Sequence, residues 1–182
     1  MTHTEPRPTL PTLALNYETG TFVNTLTGEQ HSRIEAVVLG YREDRTLYPS
    51  LQNPDPRPEC VNGSVYGPCV DCGLKEFGPQ GEVPPCSEEL TLLLWQDEHA
   101  EVVMLTARRS QVRVLERFLR MKAFLGGELH DQRVTIAMTP HLEGGLNRLV
   151  LLPGAPLDGN AQGRMAALVE RVRASGAFGG LS

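Results

Sequence analysis

Leu90-Thr-Leu-Leu-Leu-Trp95, Asp97-Glu-His99, Glu101-Val-Val-Met-Leu-Thr106 and the segment from Ser110 to Leu125 give, in order, an apolar run, a polar turn, a second apolar run and an amphipathic stretch. The two short runs, rich in leucine and valine and separated by turn residues, predict a β-hairpin. In the third piece Val114, Leu115, Phe118, Met121, Lys122 and Leu125 recur at helical spacing until Gly126-Gly127. That pattern predicts a helix over 110–125 with Ser110 as its N-cap. The opposite face of this helix carries Arg109, Arg113, Arg117 and Arg120 at four- and three-residue steps.

Upstream of this block lies a stretch with little to build a core from. All four cysteines, Cys60, Cys69, Cys72 and Cys86, fall within 27 residues rich in proline and glycine. Prolines 54, 56, 58, 68, 79, 84 and 85 and glycines 63, 67, 73, 78 and 81 leave few apolar side chains to bury. A metal ion would supply the missing ordering free energy. Cys69-Val-Asp-Cys72-Gly73 has the form of a turn whose two thiolates face one cation, and Cys60 and Cys86 complete a tetrahedral set. Structural zinc is therefore the expected cofactor. Disulfides, free thiols and a redox pair are the competing readings. No secretory leader is recognisable before residue 20 and no apolar run approaches spanning length, so the expectation is a reducing, cytoplasmic setting with no membrane association. Cys69 and Cys72 do not open a helix after a strand, as a redox pair would. Four thiolates close the coordination sphere, which argues against a catalytic metal.

Further upstream, residues 1–15 carry Pro6, Pro8 and Pro11 among threonines and read as a flexible arm. From Gly20 the chain shows an extended piece, a Thr27-Gly28 turn, and a β-rich segment over 33–41. Glu43-Asp44 is expected to turn the chain so that residues 45–48 return as a partner strand. Downstream of the helix, two strands are expected over 133–138 and 148–152, then a linker over 153–159. A last helix is expected over 161–174, with Met165, Leu168, Val169 and Val172 as its apolar stripe, ending at Gly176. This helix either packs on the body or mediates self-association. The domain organisation is thus an arm, a body over 16–152 with an inserted cysteine loop over 54–88, and a C-terminal linker and helix over 153–182.

The chain has 182 residues and a formal charge of −5, unlike proteins that coat nucleic acid by bulk positive charge. Its charge is unevenly placed. Between Arg108 and Lys122 six cations face the single acid Glu116, so this segment is +5 and the remainder −10. No enzyme is visible: Glu88-Glu89 and Asp97-Glu98 form no convincing dyad, and the glycine pairs lack the spacing of a phosphate cradle. His3, His31, His99, His130 and His141 are scattered and read as loop or surface residues.

The order strand, strand, strand, helix, strand, strand with an early insertion is that of an OB-fold, a five-stranded barrel. The expected fold class is mainly β with helices, an OB-like five-stranded barrel with a four-cysteine zinc loop and a C-terminal helix. Gly20-x-Phe22, Thr27-Gly28, a hairpin ending at Tyr48, Pro58-Glu-Cys60, Cys69-x-x-Cys72, Cys86 and a Ser110-capped helix before two strands also suggest a family. Over residues 20–152 this frame resembles the zinc-containing single-stranded-DNA-binding proteins of phages and mobile elements. The resemblance implies an OB barrel, a zinc insertion and sequence-tolerant binding of single strands in DNA replication, recombination or repair. One departure is the C-terminus, Gly-Ala-Phe178-Gly-Gly-Leu-Ser, which lacks the acidic tail by which many such proteins recruit partners.

Binding a single strand needs cations for phosphates and aromatic faces for bases. Candidates are Tyr41, Arg42, Arg45 and Tyr48 around the first hairpin, Tyr66 in the cysteine loop, Trp95, and Arg108 and Arg109 before the helix. Arg113, Arg117 and Arg120 are the candidate docking stripe for an acidic replication or repair protein.

Overall fold

The computed structural model describes residues 10–49, 57–140, 145–176 and 178. Residues 1–9 of the expected arm, Pro54 and Pro56 of the cysteine stretch, and His141 lie outside them. The described chain forms β1 (Thr12–Asn16), β2 (Thr21–Asn24), β3 (Gln30–His31), β4 (Arg33–Leu47), β5 (Cys60–Val61), β6 (Cys86–Gln96), β7 (Glu101–Arg108), α1 (Val112–Leu125), β8 (Gln132–Thr139), β9 (Arg148–Pro156) and α2 (Gly159–Ser175). The fold is mainly β with two helices, as the patterning predicts. Its strands form one sheet in the order β3-β2-β1-β7-β6-β4-β8-β9, with β5 paired to β4 off this path.

The expected hairpin at Glu43-Asp44 does not form. β4 runs unbroken for 15 residues, pairing β8 through Arg33–Val37 and β6 through Val37–Leu47. Only Val37 is shared, so one strand hands the sheet from one neighbour to the other and curls it. A register shift between Val38 and Gly40 adds twist, as bulges do. The acids are accommodated by local partners instead of a turn. Asp44 accepts from Arg42 Nε at 2.6 Å and from Asn62 Nδ2 at 2.7 Å.

The unbroken apolar run of β6 is explained by burial on both faces. Leu90, Leu92 and Leu94 pack with Ile34, Ala36, Val38, Leu105, Val134 and Ile136 under Leu115 and Phe118 of α1. Leu93 faces the other way, with Val37, Leu39, Trp95, Val102 and Met104, beneath Met165 and Val169 of α2. Strands covered on both sides lose the apolar–polar alternation of a half-exposed sheet. The last helix therefore packs on the body.

Four boundaries depart from the sequence reading. The arm ends earlier than expected, because Thr12–Asn16 forms β1, antiparallel to β2 and parallel to β7 through Thr12↔Met104 and Leu13↔Leu105. With β1–β3 added, the sheet exceeds five strands. Ser110 is not the cap of α1: a 3-10 turn spans Arg109–Gln111, entered with Arg109 at φ 54°, and Gln111 precedes the helix. β9 extends through the expected linker to Pro156. This is possible because Gly154 lies against Arg133 O, where an added Cβ would approach to 2.9 Å. Its neighbour α2 starts at Gly159, capped by Asp158, whose Oδ1 accepts from Ala161 N at 2.8 Å.

Among the described residues β7 and β9 do not pair, and the β1–β2 turn bridges the gap between them. Asn147 donates to Tyr17 O from its backbone at 2.9 Å and from Nδ2 at 2.8 Å. No helix of the described residues is long and apolar enough to cross a membrane.

Candidate metal and nucleic-acid site

The cysteine loop leaves the sheet at the end of β4 and re-enters at the start of β6. Leu47 fixes its base, opposite Cys60 of β5 on one side and Cys86 of β6 on the other. Cross-strand partners point to the same face, so both cysteines and Leu47 face one space. The Cys69–Cys72 turn folds over it, held by Asp71 N to Pro68 O at 3.1 Å, and a short 3-10 turn over Gly73–Lys75 follows. All four cysteines, with Leu47, Leu74, Arg45, Tyr66 and Lys75, line one cavity of about 10 Å³. That is the room of a single ion or water.

All four are free thiols, with Cys60 buried and the others half-buried. Apolar packing does not hold the loop, since Val65, Tyr66, Val70, Phe77 and Val83 are all exposed. Amide donors to sulfur surround Cys60. Amides of Tyr66 and Val65, then the Ser64 hydroxyl and the Gly63 amide, hold the Cys60 thiol below its ordinary pKa against the effect of burial. Gly63 makes this wrap possible: at φ 82° an added Cβ would stand 2.3 Å from Gly67 O. Burial pushes the Cys86 thiol up, and Cys69, Cys72 and Cys60 add to the rise while Arg45 opposes it. Cys86 therefore senses the other three thiols.

Thiol donors around an ion-sized space fit a soft cation in kind. Their spacing is not yet closed. Among the described residues no three cysteine sulfurs lie within 4.8 Å of one another. Sulfurs around zinc sit about 3.8 Å apart at a Zn–S distance of about 2.3 Å, so the loop has to tighten to ligate.

The candidate nucleic-acid residues fall into two groups, and the candidate protein-docking residues form a third. Arg45, Tyr48, Tyr66, Arg108 and Arg109 lie at the cysteine end. Arg45 pairs with Glu88, Arg108 Nε lies 2.5 Å from Glu89 Oε1, and the Arg108 guanidinium sits 4.3 Å above the Tyr48 ring. Tyr66 is exposed, as is Arg109. Tyr41, Arg42 and Trp95 are engaged elsewhere. Tyr41 packs against the inner core, and Arg42 donates to Phe178 O at 2.7 Å. Trp95 packs with the cluster beneath α2, and its Nε1 donates to Asp97 Oδ1 at 2.7 Å. The third group, Arg113, Arg117 and Arg120, lines a depression on α1 with Met121 and Phe124.

The basic segment is less free than its sequence suggests. Lys122 is buried and pairs with Asp131, and Arg120 Nη2 lies 3.4 Å from Glu116 Oε2. Among the described residues Arg109, Arg113 and Arg117 make no ion pair. The helix stripe also rotates relative to its reading: Val112, Leu115, Phe118 and Lys122 are buried, while Leu125 and Phe124 are exposed. The signal missed was Lys122, whose place on the apolar stripe already marked it as inward. Comparison of the chain with protein-family models, with curated proteins and with solved structures finds no match.

Proposed function

We propose that the chain is a non-catalytic OB-fold protein that binds single-stranded DNA in replication, recombination or repair, its cysteine loop held by zinc. The observation that carries this reading is topological. Strands β4, β6, β7, β8 and β9 stand in the order β7-β6-β4-β8-β9, with α1 between β7 and β8 in the chain. Taken as strands one to five, that is the strand order and helix position of an OB barrel. It puts the cysteine loop in the connection between strands one and two, one of the two loops that flank the oligonucleotide in that architecture.

In this reading the strand crosses the cysteine end of the sheet. Arg45, Arg108 and Arg109 meet phosphates and Tyr66 offers a face for a base. The outer surface of β6 and β7, which other OB-folds use for binding, here packs with α2 at Leu93, Trp95, Val102 and Met104. The footprint on this chain is therefore short. Three phosphate contacts predict a slope of log affinity on log salt of about −2 for a single strand. Fluorescence anisotropy with a labelled oligo-dT should show binding that weakens steeply from about 20 to about 200 mM salt. No binding at the lowest salt would remove the proposal.

A second reading is favoured by the α1 face, where Arg113 and Arg117 stand beside Phe124, which is 89% exposed. There the chain is a zinc-stabilised module that docks an acidic segment of a replication or repair protein. Charge reversal at Arg113 and Arg117 that spares oligo-dT binding but abolishes capture of such a protein would favour it.

A further inference from the structure

His31 and His99 are 68 positions apart in the chain, yet the sheet brings them together with Glu29. We propose that Glu29, His31 and His99 form a metal site for a first-row divalent transition ion, separate from the cysteine loop. One ligand atom from each of the three lies within 4.8 Å of the other two. The imidazole centroids are 5.9 Å apart with the rings tilted at 59°, so the rings are angled to each other and not stacked in parallel.

The placement follows from the strand order. Glu29 and His31 alternate by two at the β2–β3 turn, with His31 opposite Phe22 in β2. His99 sits in the β6–β7 turn, closed by Ala100 N to Asp97 O at 3.3 Å with Ala100 at φ 51°. β1 lies between β2 and β7 and brings the two turns to the same end of the sheet. Asn24, which is 2% exposed, secures the arrangement. Its Oδ1 accepts from Leu26 N at 2.9 Å and Thr27 N at 3.3 Å, and its Nδ2 donates to Glu101 at 3.5 Å, two residues after His99. Thr27 Oγ1 donates to Glu29 Oε2 at 3.2 Å and accepts from Glu29 N at 3.2 Å, orienting the carboxylate from behind as supporting groups of metal ligands do.

Two imidazoles and one carboxylate suit zinc, nickel or copper and disfavour magnesium and calcium, which take oxygen ligands. Donors around such an ion stand about 3.4 Å apart at metal–ligand distances of about 2.1 Å, within reach of small side-chain rotations. Three protein donors leave at least one position for water or an outside ligand. The cysteines lie at the other end of β6, about 30 Å away along the strand, so one ion cannot serve both sites.

The test uses the full chain loaded with one equivalent of zinc, the amount the cysteine loop takes in the proposed reading, then titrated with Ni²⁺ and followed by calorimetry and absorption. One further equivalent should bind, without thiolate-to-nickel charge-transfer absorption. His31→Ala and His99→Ala should each weaken it at least tenfold, and Glu29→Gln should weaken it less. An unchanged affinity in both histidine variants, or no binding to the unaltered chain, overturns the proposal. A readout that needs no variant is paramagnetic broadening by Ni²⁺ in the unaltered protein. Selective loss of the His31 and His99 ring signals with His130 kept sharp supports the site, and no selectivity overturns it. Because the titration contains no DNA, its outcome is independent of the proposed strand binding.

Discussion

Strand β6 and the loop that feeds it meet at Cys86, yet the two are held by different forces. Leu90, Leu92, Leu93 and Leu94 are fully buried between two layers of apolar side chains, so the strand is stabilised by the area it removes from water. The preceding loop exposes its valines, Tyr66 and Phe77 and depends on hydrogen bonds around Cys60 and, in the proposed reading, on zinc held by its four thiols. The difference teaches that the body can persist when the loop does not.

The comparison breaks most visibly at Leu92. Its side chain is 0% exposed, and Leu92→Ala is expected to cost about 3–5 kcal/mol in urea denaturation. A cost under about 1 kcal/mol would mean that the sheet is not held as described.

Next in size is metal removal. A strong chelator should raise amide exchange within 57–85 by about 100-fold, equivalent to about 2.7 kcal/mol of lost local stability, and change β6 and β7 little. Equal loss in both regions would show that body and loop unfold as one unit.

Gly63→Ala sharpens the contrast, since the added methyl meets Gly67 O at a backbone that already sits at φ 82°. The expected cost is about 2 kcal/mol, felt as weaker metal affinity and not as an earlier melt of the sheet. Asp158→Ala is the smallest change. Losing the α2 cap should cost about 1 kcal/mol and loosen the outer layer over Leu93 and Trp95, with the loop unaffected. Zinc content and thermal melts of these two variants separate the effects.

How much of this was legible depended on how local the signal was. The β6–β7 hairpin and the end of α2 at Gly176 could be read from neighbouring residues alone. Glu43-Asp44 misled because two acids usually mark a turn, and Arg42 and Asn62, which keep Asp44 inside β4, reveal their role only in three dimensions. The clustering of the cysteines was plain, but the wrap of amides around Cys60 was not, since Cys60-Val-Asn-Gly63 lacks a second cysteine to draw the eye. The histidines read as scattered because their encounter requires β1 to dock on β7, a long-range pairing invisible to spacing.

The amino-acid order by itself determined the class of the fold, the apolar strand over Leu90–Leu94 and a cysteine loop that cannot stabilise itself by burial. These follow from periodicity and composition within a few residues. Only the tertiary structure decided which arginines are already paired, that α2 covers the outer face of the sheet, and that Glu29, His31 and His99 meet. Those outcomes depend on register and closure across a curled sheet, where residues far apart in the chain become neighbours.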